Sequence, residues 1–426
     1  MVEPAFVVKG GEILDSLGRR RDDVLVGADG TILAVGRDLD APETLDASGC
    51  VVTPGFVDLH THLREPGGER AETVLSGSRA AAAGGFTAVV AMPNTDPPVD
   101  NASMVREIQS LARGALCDVV PAGAITIGRA GEQLVEMADM VRAGVRMFTD
   151  DGRGVQDAGV MRRALLYARD LGVVLAQHCE VESLSAGGVM HEGRWSSTLG
   201  LPGVPAVAEE LMVARDIALC RTFGGRIHLQ HISTRGSVEL VKQAKLEGLD
   251  VTAEVTPHHL SLLDAELASF DPVFKVNPPL REEPDVQALR SALADGHVDA
   301  VATDHAPHPP EEKERPLDEA PPGMTGLETA LAAVLTHTDL PLETVVAALS
   351  WRPAAIAGLE DHGGPIEPGR PANICVFSPE ERWRVEPAST YSLARNNPFV
   401  GRTLTGRVRH TVYRGEVVVR EGEATR

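Results

Sequence analysis

Aromatic residues are scarce in this chain: Phe, Trp and Tyr make up 4% of 426 residues. Ala, Val, Leu and Ile must therefore carry most of the packing, within an ordinary globular hydrophobic content of 43%. Paired cysteines are missing as well. Cys50, Cys117, Cys179, Cys220 and Cys375 are dispersed and form no CxxC, and an odd, scattered set predicts a reduced, cytoplasmic protein. No apolar run reaches the roughly 18 residues that a membrane span needs. The opening MVEPAFVVKGGEILD has no basic leader and no long apolar core, so no signal peptide is expected. Positive charge is in deficit, with a formal net charge of -21. So acidic a surface repels phosphate backbones and anionic membranes, which argues against both as partners. Lysine is absent altogether between Lys9 and Lys242.

What is present has a clear order. Residues 1–53 are short apolar runs broken by turns, such as AFVVKGGEIL and DVLVGADGTILAVG, and residues 366–426 read the same way (PANICVFSP, GRVRHTVYRGEVVVREG). They predict one small β-sandwich domain built from both termini. Between them, over 54–365, eight apolar strand candidates alternate with Ala- and Leu-rich helical stretches: 57–63, 86–93, 118–126, 145–150, 173–179, 226–233, 250–257 and 298–305. Several helical stretches stop at glycine, as helix ends often do. Eight such units predict an α/β fold, a (β/α)8 TIM-like barrel.

Polar residues collect at the ends of these strands. His60 and His62 lie late in the first, Asp150 and Asp151 end the fourth, His178 the fifth, His231 the sixth, and Asp304 with His305 the eighth. In barrels of this kind the active site occupies the carboxyl ends of the strands. Each residue alone has a structural explanation: a hydrogen-bonded strand end, a turn former before glycine, a helix cap. Four imidazoles and two carboxylates converging on one rim without a cation would leave poorly satisfied polar groups. Nitrogen and oxygen donors without thiolate suit Zn²⁺, Mn²⁺ or Co²⁺, and six donors suit two metals better than one. The row HTHLR adds Arg64 to His60 and His62 at spacing i, i+2, i+4, which predicts one face of one strand. His258 and His259 of TPHHL are left as supports or packed residues, and His191, His228, His297, His337, His362 and His410 read as structural.

HxH on the first strand, single histidines on the fifth and sixth, and aspartate on the eighth resemble the amidohydrolase superfamily, as does the tail GPIEPGRPANICVF. GFVDLHTHLREPG, AMPNTDPPVD, FTDDG, EVTPHHL, FKVNPPLR, ATDHAPH and NNPFVG resemble, more narrowly, dihydroorotases of the longer bacterial type. That resemblance implies reversible cyclisation of N-carbamoyl-L-aspartate to L-dihydroorotate in pyrimidine biosynthesis. Many superfamily members bridge their metals with a carboxylated lysine on the fourth strand; here no lysine exists to do so, and an acidic residue must. The residues alone leave Asp150 and Asp151 both open, and the resemblance assigns Asp151.

The resemblance further implies two Zn²⁺ per subunit. His60, His62 and Asp304 would hold one, His178 and His231 the other, with Asp151 and a hydroxide as bridges. Asp304 would be the catalytic general acid and base. His62, Arg64, Asn94, Asn277, His308, Pro322 and Gly323 would bind substrate, with the Arg64 guanidinium gripping a carboxylate. The stretch from His308 to about residue 325 is rich in Pro and charge, and is expected either as polar filler or as a loop over the eighth strand. The rival activities are those of hydantoinase, dihydropyrimidinase and allantoinase, most of which need the absent lysine. A homo-oligomer is expected. Association with aspartate carbamoyltransferase stays open, since some similar chains without metal ligands serve that enzyme as structural partners.

Overall fold

The computed structural model describes residues 2–426, and it shows a mixed α/β fold. Eight parallel strands form its middle: β1 (Phe56–Thr61), β2 (Phe86–Ala91), β3 (Asp118–Pro121), β4 (Met147–Phe148), β5 (Val174–His178), β6 (Arg226–Gln230), β7 (Val251–Val255) and β8 (Ala300–Val301). Each pairs with the next in chain order. Between β3 and β4 the link is a bridge from Gly123 to Phe148, and β8 returns to β1 through a bridge from Thr61 to His305. All eight overlap the strands expected from sequence, with β1 starting one residue earlier, and all end short of the expected carboxyl ends. His62, Asp150, Asp151, His231 and Asp304 lie past the last residue of their strands, whereas His60 and His178 stay within β1 and β5.

Helices cover the outside of these strands. Val74–Ala83 starts at a Thr73–Ser76 capping box, and Ala158–Leu171 starts at the Asp157 cap and ends at left-handed Gly172. Val160, Met161, Ala164, Leu165 and Ala168 form the buried stripe of the latter helix. A separate, smaller apolar cluster includes Leu59, Val90, Met147, Val174, Ala176 and Ala300, packed with Ile356 and Ala357. The few aromatics are spent at a junction: Phe56 of β1 stacks edge-on against Phe86 at 5.7 Å and lies 6.1 Å from Phe377 of the C-terminal region.

The chain ends form two further sheets. One has four strands, in the order Ile32–Gly36, Asp23–Gly27, Pro4–Lys9 and Glu43–Asp46. The other has seven and mixes both termini, with Val51–Pro54 paired antiparallel to Ile374–Phe377. Phe6, Val8, Val24, Val26, Val52, Ile374 and Val412, drawn from both sheets, share one buried cluster.

Candidate active site

A cavity of about 190 Å³ opens where the eight strands end. His62, Arg64, Asn94, Asp151, His178, His231, Asn277, Asp304, His308, Pro322 and Gly323 all line it. His60 lies beneath, with no exposed surface. Residues more than 250 positions apart thus meet as expected.

Asp151 sits at the centre of the histidines. Its carboxylate oxygens lie 3.2 Å from His60 Nε2, 3.5 Å from His62 Nε2, 3.6 Å from His178 Nδ1 and 3.9 Å from His231 Nε2. Asp304 Oδ1 is 3.1 Å from His62 Nε2 and 3.5 Å from His60 Nε2. Two groups have donor atoms all within 4.8 Å of one another: His60, His62 and Asp151, and Asp151, His178 and His231. Asp150 turns away and accepts the backbone N–H groups of Ile125 and Thr126 at 2.8 and 3.1 Å, so it shapes the preceding loop.

The hydrogen bonds behind the histidines decide what they offer. His60 Nδ1 donates to Glu254 Oε1 at 2.9 Å, and His62 Nδ1 donates to Asn94 Oδ1 at 2.9 Å. A neutral imidazole that donates from one nitrogen presents a lone pair on the other. Both Nε2 lone pairs then face carboxylate oxygens, and buried His60 Nε2 has no hydrogen-bond partner. His178 Nδ1 and His231 Nε2 also meet, 2.9 Å apart. Acceptors crowded against acceptors repel unless a cation lies among them, so the donor set fits divalent metal. When protons are the only cations, His60 and His178 take them. Burial opposes the charge, yet Asp151 and Asp304 lift His60 well above its ordinary pKa, and Asp151 with Glu180 lifts His178 to about 10. Burial and the neighbouring His178 and His60 push His231 down to about 3. Burial also opposes charge on Asp151 and Asp304, but the histidines hold both carboxyls below their usual range. Metal binding would displace the extra protons.

The i, i+2, i+4 reading of HTHLR does not hold in detail. β1 ends at Thr61, and Arg64 lies in the following turn with φ of 61°. It reaches the cavity because the turn folds back over β8, where Arg64 Nε donates to Pro307 O at 3.1 Å. His231 and Asp304 also have positive φ, 32° and 45°. Non-glycine residues in that region cost energy and gather at functional sites.

The segment after β8 is packed. Leu317, Ala320 and Met324 are buried, and Lys313 is 9% exposed. Lys313 Nζ donates to Pro321 O and Gly323 O at 3.0 Å, while Lys275 Nζ donates to Leu317 O at 2.8 Å. Two lysines thus bind the backbone of a stretch whose composition looked too polar to bury. A Cβ at Gly323 would come within 2.8 Å of His308 Nε2 and 2.9 Å of Ala306, at a φ of 143°, so only glycine fits. Gly323 N donates to Lys275 O, and Pro322 O accepts from His308 Nε2 at 2.9 Å.

Sequence reasoning missed four supporting residues. Glu254, fully buried on β7, accepts from His60 with one oxygen and from His228 Nε2 at 2.9 Å with the other. His228, read as purely structural, thus stands behind the site. Glu180 stands behind His178 at 3.3 Å. Asp58 of DLHTH accepts from Thr303 N at 2.8 Å and Thr303 Oγ1 at 2.6 Å, pinning the end of β8 beside Asp304.

Strands that converge histidines and aspartates on a shared rim define a metal-dependent amidohydrolase, and residues 227–419 match the model described as Amidohydrolase family. Residues 49–237 match the model described as Dihydro-orotase-like. The dihydroorotase of Streptomyces coelicolor is 49% identical over 98% of this chain and 99% of its own length. That of Mycobacterium tuberculosis is 50% identical over 95% and 96%. Among solved structures, the L-hydantoinase (dihydropyrimidinase) of Arthrobacter aurescens is similar with a TM-score of 0.90 and 27% identity, covering 100% of this chain and 98% of that one. The chain belongs to the dihydroorotase family.

Proposed function

We propose that this enzyme interconverts N-carbamoyl-L-aspartate and L-dihydroorotate at the cavity above β1–β8, in pyrimidine synthesis and in the cytoplasm. In this reading the eight strands are a closed (β/α)8 barrel over 54–365, and residues 1–53 with 366–426 are a separate β-sandwich domain. The observation that carries the activity is one juxtaposition: imidazole lone pairs aimed at Asp151 and Asp304, with the half-buried Arg64 lining the same cavity.

His60, His62 and Asp304 would hold one divalent ion and His178 with His231 the other, with Asp151 shared and zinc the expected metal. Metals bound there supply a nucleophile from water near neutral pH and polarise the carbonyl under attack. The chain's own residues do the rest. Arg64 grips the substrate carboxylate, since a guanidinium matches a carboxylate bidentately. Asn94, Asn277, His308 and the Pro322–Gly323 turn fix the ring. In ring opening, Asp304 takes the proton from the attacking water and delivers it to the nitrogen that leaves as the ring C–N bond breaks. Cyclisation runs the same transfers in reverse. The chain is expected to act as a homo-oligomer, and pairing with aspartate carbamoyltransferase is an optional assembly.

Turnover of the zinc-supplied protein on dihydroorotate, beside dihydrouracil, hydantoin and allantoin with a chelated control, tests the reading. Metal-dependent opening of dihydroorotate alone is expected. Opening of an uncharged ring with dihydroorotate untouched would move the chain to the hydantoinase side, where its solved neighbours stand, and would remove the role given to Arg64.

A further inference from the structure

Glu180 lies two residues beyond His178 at the end of β5 and takes donors from three sides. The Ser185 hydroxyl donates to Oε1. Asn277 Nδ2 donates to Oε2 at 2.6 Å, and His178 Nε2 approaches the same oxygen at 3.3 Å. A carboxylate receiving three donors has only acceptor roles left. The two ends of an asparagine amide are nearly alike in shape, but one that abuts such a carboxylate must put its NH2 there. Asn277 Oδ1 is then the free end, and among the described residues it accepts no hydrogen bond. Asn277 lines the catalytic cavity and also the neighbouring one that holds Glu180 and Ser185.

We propose that Glu180 is a positioning residue that turns the Asn277 amide so that its carbonyl oxygen meets the ligand, making this edge of the site selective for a ligand N–H. The inference rests on the reading of Asn277 as a substrate contact. It gives the cavity two unlike ends. The Arg64 end takes an anion. The Asn277 end, backed by the Glu180 charge, takes a ureido or imide N–H and repels a carboxylate. A ring that carries both groups is thereby held in one direction.

The test uses the zinc-loaded full chain with Glu180→Gln. The glutamine amide can present its own N–H to Asn277 and lets that amide turn over. The expected result is a rise of about tenfold in KM and in the calorimetric Kd for dihydroorotate, the scale of one charge-assisted hydrogen bond. Zinc content per chain, measured independently, is expected to match the parent. Asn277→Asp alone sets two carboxylates against each other and is expected to weaken binding more strongly. Added to Glu180→Gln, whose N–H can meet the new carboxylate, the same change is expected to cost several-fold less. An unchanged KM and Kd in Glu180→Gln, or equal costs of Asn277→Asp in both backgrounds, would overturn the proposal. So would zinc loss with kcat lowered and Kd intact, because Glu180 would then serve His178 alone. Failure of the functional reading shows separately, as a parent enzyme without dihydroorotate turnover, and the Kd comparison still decides the role of Glu180 in that case. Absence of dihydroorotate binding to the parent would overturn both.

Discussion

The two histidine pairs that meet at Asp151 are supported in unlike ways. His60 and His62 leave one strand together, and each has its Nδ1 tied down at 2.9 Å, by Glu254 and by Asn94. His178 and His231 come from different strands. His178 leans on Glu180 at 3.3 Å, and the Glu180 side chain is 19% exposed, while buried His231 Nδ1 has no partner. Ligands whose tautomer and direction are already fixed lose less freedom on binding. In the proposed two-ion reading, the His60–His62 position is therefore prepared in advance, and the His178–His231 position is completed by what binds there. A chelator should therefore strip the second position first.

The largest effect tests a residue that touches only the first pair. Asp304→Asn keeps the shape of the side chain but cannot carry the proton. Turnover should fall by about 10²–10⁴-fold, the usual worth of a general acid–base group, with most of the fold retained by circular dichroism. Near-normal turnover would remove the proton-transfer role. Next comes Glu254→Gln. Its amide offers one acceptor where His60 and His228 each need one, so the brace on His60 weakens, and metal affinity at one position only should drop by roughly 10–100-fold, as for other residues that orient metal-binding histidines. Equal weakening of both positions in a competition titration would show that Glu254 does not serve the His60–His62 position alone.

Acidity separates metal from proton. His178 holds its extra proton up to about pH 10 when Asp151 and Glu180 have no metal to share it with. Below that value, binding at the second position must release this proton. Affinity should therefore rise by about tenfold per pH unit from pH 6 to 9 and fall on acidification. A flat profile there would mean that His178 is already neutral in the metal-free protein.

Much of this was legible beforehand, for physical reasons that differ by residue. The eight strands showed as apolar runs because both of their faces are buried. Their polar ends showed because His or Asp recurs at the ends of five of the eight apolar strands, although each residue alone has an ordinary structural explanation. β1 ends at Thr61, before His62 and Arg64, which is why the strand spacing drawn for Arg64 fails although the side chain lines the cavity. Glu254 carried a faint signal, a charge inside the apolar run VTAEV. Its meaning depends on His60, 194 positions away, and no local pattern encodes that. Of the two readings of the stretch after β8, polar filler fails because composition cannot show that Lys313 and Lys275 spend their charges on backbone carbonyls.

The smallest effect concerns His228, which never reaches the cavity. It receives the Thr252 hydroxyl on Nδ1 and donates Nε2–H to Glu254, each at 2.9 Å. Glu254 thus divides its two oxygens between His228 below and His60 above. Burial opposes its charge, and these two histidines hold its pKa down at about 2. Removing one of them in His228→Ala leaves a buried carboxylate half satisfied, at a cost of about 1–3 kcal/mol that a melting curve reads. Glu254 still accepts from His60, so metal affinity at the first position should weaken only a few-fold, less than in Glu254→Gln. His228→Gln, which keeps an N–H for Glu254, should recover part of both losses. A loss in His228→Ala as large as in Glu254→Gln would show that the brace behind His60 is a chain of three residues. A melting-temperature loss with no change in metal affinity would show that Glu254 holds His60 unaided.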